Sequence, residues 1–236
     1  MKKIIFVVIA MCLFMYSSVS AHDFWIEKKD GKLFIVSGHD DKWDTYDPAR
    51  VKDVKSFDSK GNVLKADAVR QKDIAYIEPK ENMAMISVFF DNYFWVKTTD
   101  GRKNITKRDA IKQGFQILES GQFFKYAKYI SKWSDIFSKP VGTKIEIVPQ
   151  KNPLALKAGD KLPIKVLLDG KALENASVYL HGSHDEIAKT TKDGTANIEI
   201  KRGHNIVSST TRVPFVNNPD ADQLYLRASL SFEVTK

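Results

Sequence analysis

Four Asp-Gly dipeptides, Asp30-Gly31, Asp100-Gly101, Asp169-Gly170 and Asp193-Gly194, stand between short apolar runs along this chain. An Asp-Gly pair tolerates the positive φ angles that a two-residue hairpin needs to match the twist of its strands, so each one marks a point where an extended segment turns back on itself. The first joins Phe24-Trp25-Ile26 to Leu33-Phe34-Ile35-Val36. Further extended runs follow at 51–57, 63–69, 74–77, 83–90 and 94–96, with a turn at Ser59-Lys60-Gly61-Asn62. From 144 onward, strands at 144–149, 162–168, 177–180, 196–200, 205–210 and 225–234 recur every ten or so residues, the spacing of an antiparallel sandwich of immunoglobulin-like type. That half has no cysteine pair and no central tryptophan, which excludes an antibody-type domain.

Between these halves the period changes. Thr106 followed by Asp109 has the form of a helix N-cap. Ile111, Phe115 and Leu118 repeat at helical spacing, as do Phe123, Tyr126, Ile130, Trp133 and Phe137 before Lys139-Pro140-Val141-Gly142. The expected fold is mainly β: two β-sandwich, immunoglobulin-like domains with a short α-helical hairpin between them. The expected boundaries are an export signal at 1–21, an N-terminal β domain at 22–100, a helical insertion at 101–140 and a C-terminal sandwich at 141–236.

The first 21 residues read as a cleavable signal peptide. Lys2 and Lys3 form a basic start, 4–16 an apolar stretch, and Val19 and Ala21 occupy the positions a signal peptidase reads. No run approaches the roughly 20 apolar residues of a membrane helix, so the mature protein is expected in the periplasm, not embedded in the membrane. Cys12, the single cysteine, lies inside the signal. The mature chain therefore has neither disulfides nor thiolate ligands, and any metal site must use His, carboxylate, Met, backbone or the terminal amine. Removing Lys2 and Lys3 leaves 35 basic against 29 acidic residues, spread along the chain. Without a basic cluster interleaved with aromatics, nucleic acid is not an expected partner.

Cleavage after Ala21 makes His22 the first residue. A terminal histidine offers its α-amine and near ring nitrogen to one metal ion, borderline donors suited to nickel, copper, zinc or cobalt. If the first hairpin forms, the end of its second strand returns beside its start and brings His39, in Gly38-His39-Asp40-Asp41, near His22. Asp40, Asp41 and Asp44 are available to satisfy loop donors or to orient a ligating imidazole. His181, His184 and His204 lie in the second half. The first two are three apart in a loop and the third opens a strand.

The ordered string His22-Asp23-Phe24-Trp25-Ile26-Glu27, Gly38-His39, Tyr46-Asp47-Pro48-Ala49-Arg50-Val51-Lys52, Thr98-Thr99-Asp100-Gly101, Lys139-Pro140-Val141-Gly142 and Asn152-Pro153-Leu154-Ala155-Leu156-Lys157-Ala158-Gly159-Asp160 continues to Thr191-Lys192-Asp193-Gly194 and Asn218-Pro219-Asp220-Ala221-Asp222. Taken together it resembles the exported bacterial accessory proteins of energy-coupling-factor-type nickel and cobalt importers. The resemblance implies a periplasmic β protein that binds Ni(II) or Co(II), as the ion or a small chelate, and passes it to the importer's membrane subunits. It implies metal binding at His22 and His39. Relatives often carry a further histidine in the strand after a late Gly-Leu-Asn segment; the corresponding stretch here, Gly203-His204-Asn205-Ile206-Val207-Ser208-Ser209-Thr210-Thr211, lacks it, so His204 from a shifted position is the candidate third ligand, with His181, His184 or none as alternatives.

Two other functions compete. A copper enzyme with an N-terminal histidine brace needs the same amine and two imidazoles, and Cu(II) outcompetes Ni(II) at such nitrogen sites. A binding module with no metal would leave the histidines incidental. No nucleophile motif supports a hydrolase, and the chain is not expected to be an enzyme.

Overall fold

The computed structural model describes residues 23–39, 42–181 and 185–235; the expected signal segment, His22, Asp40, Asp41 and His184 lie outside them. The first hairpin forms around its Asp-Gly pair. Strands β1 (Asp23–Lys29) and β2 (Lys32–His39) pair antiparallel from Lys29 opposite Lys32 to Asp23 opposite Gly38. Asp30 and Gly31 take φ of 49° and 75°, the two left-handed positions of a type I′ turn. The short β3 (Lys42–Asp44) runs back along the end of β2. Asp47 then caps a 3-10 turn at Pro48–Arg50 by accepting from the Ala49 N–H. Strands β4 (Val51–Phe57), β5 (Val63–Leu64), β6 (Val69–Arg70), β7 (Ala75–Ile77), β8 (Met85–Thr98) and β9 (Gly101–Lys103) follow.

The α-helix among the described residues is α1 (Lys107–Lys112), started by Thr106, whose hydroxyl accepts from the Asp109 N–H and donates to the Asp109 carboxylate. The expected helical hairpin does not continue. Residues 117–130 are instead the 14-residue strand β10 (Ile117–Ile130), and 135–138 is a 3-10 turn. The helical spacing of Phe123, Tyr126 and Ile130 misleads because β10 is buried on both faces. Phe124, Tyr126 and Ile130 pack into one core, Ala127 and Tyr129 into another, so apolar residues occur at both parities and strand alternation disappears.

The remaining elements are β11 (Ile145–Pro149), β12 (Lys161–Leu168), β13 (Lys171–Ala172), β14 (Ser177–Leu180), β15 (Ala188–Lys189), β16 (Thr195–Glu199), β17 (Gly203–Pro214) and β18 (Gln223–Val234). The protein is mainly β, as expected. A nine-stranded sheet, β15-β14-β17-β18-β10-β8-β4-β5 with β9 on β8, draws strands from both sides of segment 101–140. Its middle pair, β10 and β18, is parallel. On one face lies the sheet β1-β2-β7-β6 with β3, on the other β11-β12-β13 with β16.

The central sheet thus serves two sandwiches at once. On β18, Leu226, Ala228, Leu230 and Phe232 face the β11–β12 layer, while the Ser229 and Ser231 hydroxyls donate to the Phe24 and Ile26 carbonyls of β1. These hydroxyls occupy outward carbonyls of an edge strand that would otherwise invite another chain. Among the described residues no helix is long and apolar enough to cross a membrane.

Candidate functional site

The open end of the β1–β2 hairpin is held in place from three directions. Asp23 is fully buried, and its Oδ1 lies 2.6 Å from Nε of Arg227 on β18. Gly38 passes so close to β3 that a Cβ there would lie 2.0 Å from the Lys42 carbonyl oxygen. Tyr46, just beyond β3, donates its hydroxyl to the Ile35 carbonyl at 2.6 Å and accepts from the Ala75 N–H at 3.0 Å, binding β2 to β7. Burial pushes that phenol well above its ordinary range, against the Ala75 hydrogen bond.

His39 ends β2, half-buried, with Lys42 opposite it on β3. Alternation along β2 sets His39 on the same face as Ser37, and Asp44 pairs with Ser37 across β3. His204 is elsewhere. It stands on β17 opposite Glu233, with one ring N–H directed to the Ile26 carbonyl and Nε2 buried without a hydrogen-bond partner among the described residues. Burial holds its pKa below the usual imidazole value, against the pull of Glu27 and Glu233. Ile26 lies three residues along β1 from Asp23, about 10 Å at ordinary strand rise, so His204 flanks the middle of the strand and not its open end. His181 follows β14 at φ 53° and donates its backbone N–H to Ile206, on the β17 side of the molecule. Among the described residues no three His, Cys, Asp or Glu side chains gather to hold a metal ion.

Beside the hairpin end opens a cavity of about 640 Å³, whose lining includes Ser37, Asp44, Arg50, Trp95, Arg102 and Lys125. Of these, only Asp44 stood out in the sequence as a candidate site residue, able to orient a ligating imidazole. Arg50 donates to Asn92 Oδ1 at 2.7 Å and stacks 4.8 Å from the Tyr93 ring; its Nε is buried with no hydrogen-bond partner among the described residues. Arg102 lies 4.3 Å above the Trp95 ring and 5.9 Å from Phe123. Desolvation lowers its pKa, opposed by Glu119 and Tyr225.

Lys125 is 1 % exposed. Arg227 is its partner across the parallel β10–β18 ladder. Burial, with repulsion from Arg227, pulls its ammonium down to about 7, while Asp23 and Asp44 pull the other way. The sequence did carry a signal for it: a lysine inside the apolar run Phe123-Phe124-Lys125-Tyr126-Ala127 must be paired or functional when the run is a buried strand.

The wall between the two arginines is irregular. The β8–β10 register slips between Gln122 and Phe124, and Tyr93 adopts φ 61°. Asp91 steadies the bulge by accepting from the Tyr93 N–H at 3.0 Å and from Gln122 Nε2 at 3.0 and 3.1 Å. Bulges re-aim side chains, and strained residues of this kind concentrate at functional sites.

The family model of a domain of unknown function, DUF4198, matches residues 19–211, which include the hairpin, the cavity lining and His204. The chain belongs to the DUF4198 family. No curated protein and no solved structure matches it. The DUF4198 match stops short of Arg227, so the cation that anchors Asp23 comes from outside the matched region.

Proposed function

We propose that this protein is an exported metal-binding component that takes up Ni(II) or Co(II) at the open end of the β1–β2 hairpin and passes it to a membrane importer. The β1–β2 register carries the reading. Asp23 opposes Gly38, and His39 ends β2 directly beyond that pair, at the open end of the hairpin where β1 begins. Side-chain alternation puts His39 on the face of β2 that bears Ser37, and Asp44 pairs with Ser37 across β3. The α-amine and ring nitrogen of His22 with the His39 imidazole form a nitrogen set suited to Ni(II) or Co(II), and Asp44 is near enough in register to orient or complete it. The resemblance of the motif order to that of accessory proteins of nickel and cobalt importers supports the same cargo. The buried Asp23–Arg227 pair supplies the rigidity that a terminal chelate lacks in a free peptide.

The test is a calorimetric Ni(II) titration of the protein purified after export, with its N-terminus established by mass analysis, alongside His22→Ala and His39→Ala. A mature chain starting at His22 is expected to bind one nickel, and each substitution to weaken it at least tenfold. Unaltered binding in both variants refutes the assignment.

A further inference from the structure

We propose that the cavity beside the hairpin is a receptor for a small organic anion carrying two or three carboxylates. Among the described residues, two arginines, Arg50 and Arg102, and the amine of Lys125 line it beside one carboxylate, Asp44. They do not crowd one spot. Arg50 is held on Tyr93, Arg102 on Trp95 and Phe123, and Lys125 is fixed in the β10 strand. A guanidinium held against an aromatic ring is restricted in its motion, and guanidinium edges recognise carboxylates through two parallel hydrogen bonds.

Arg50 reaches the cavity wall with one guanidinium nitrogen already donating to Asn92 Oδ1 at 2.7 Å, which fixes its position there. The cavity volume lies within the range of sites for small organic molecules, and an inorganic oxyanion would fill only a part of it. Charges carried on separate walls of such a space call for anionic groups separated by a carbon skeleton. Trp95 and Phe123 form an apolar part of the lining beside Arg102.

The receptor stands without the metal reading. If the metal reading also holds, the two are joined: polycarboxylates chelate divalent metals, and Ser37 and Asp44 lie on both the cavity wall and the face that bears His39. The metal would then arrive as a complex whose free carboxylates dock on Arg50 and Arg102.

The experiment titrates citrate, succinate and inorganic phosphate by calorimetry into metal-free mature protein, into Arg102→Gln, into Arg50→Gln and into His39→Ala. Arg102 is exposed, so its replacement leaves the core intact, and circular dichroism verifies the fold of each variant. Citrate or succinate is expected to bind with a sub-millimolar Kd, to weaken at least tenfold in either arginine variant, and to bind His39→Ala as it binds the parent. The proposal is overturned if neither carboxylate binds at millimolar concentration, if binding survives both arginine substitutions, or if phosphate binds as tightly as citrate. Anion binding without nickel binding, or the reverse, separates this proposal from the metal reading.

Discussion

The Asp23 carboxylate meets the Arg227 guanidinium at 2.6 Å, with Asp23 fully buried and the Arg227 side chain 10 % exposed. One residue opens the first described strand and the other sits in the middle of the last. Their pairing closes the central sheet against the hairpin at the end where the metal chelate is proposed, and it sets Arg227 beside Lys125.

A buried carboxylate of this kind fails badly when only one partner is removed, because the remaining charge is left without compensation. Asp23→Ala is expected to lose about 3 kcal/mol or more of stability in urea unfolding. The paired replacement Asp23→Leu with Arg227→Met is expected to lose less than that single change. A double variant less stable than Asp23→Ala would show that the cost lies in packing and not in the orphaned charge.

Glu146 makes the parallel prediction in the opposite layer. Its carboxylate accepts Lys128 Nζ at 2.9 Å and the backbone N–H groups of Val141, Gly142 and Thr143 at 2.8, 3.1 and 3.4 Å. Both side chains are buried, and desolvation lowers the Lys128 pKa while Glu146 raises it. Glu146→Ala removes the counter-charge and the hub of the 141–143 loop together. An expected loss of about 3–5 kcal/mol makes it one of the most damaging single substitutions in the chain, measured by thermal or urea unfolding. A loss under about 1 kcal/mol, typical of an exposed pair, would contradict this account.

Neither pair was legible from residues alone, whereas the turns were. Asp30-Gly31 and Asp169-Gly170 announced their turns because the required φ angles are a local property, and both aspartates do adopt φ of 49°. The Thr106 cap was legible for the same reason. Lys139-Pro140-Val141-Gly142 was visible as a motif, but its purpose was not: the backbone N–H groups that wrap Glu146 acquire meaning only once β11 is beside them. The strand β10 was misread because burial on two faces erases period-two alternation. For the candidate site, the hairpin was enough to associate His39 with the start of β1. The cavity was not accessible in this way, since Arg50 comes from the 3-10 turn before β4 and Trp95, Arg102 and Lys125 from three strands joined by sheet pairing; Lys125 carries a signal in its apolar run, but the other three each look like an ordinary surface cation or core aromatic.

Lys125 gives the pH dependence its sign. Folding depresses its pKa from 10.5 to about 7, desolvation being the larger cause. Below pH 7 the lysine is protonated in folded and unfolded chains alike, and its contribution is flat. Between pH 7 and 10.5 the unfolded chain holds a proton that the folded chain does not, so stability climbs with pH, by up to roughly 1.4 kcal/mol per unit. Lys128 acts in the same direction. Above pH 10 the trend reverses, because burial raises the Tyr126 and Tyr129 phenols to about 12 and unfolding releases their protons. Lys125→Met is expected to be more stable than the parent at pH 6, with the advantage shrinking as pH approaches 10, since the parent no longer has to bury a charge there. Urea unfolding of both proteins at pH 6, 8 and 10 measures the difference directly. A stability gap that stays constant across those three values would mean that Lys125 does not change its charge in this window, and that Asp23 and Asp44 hold its ammonium in place.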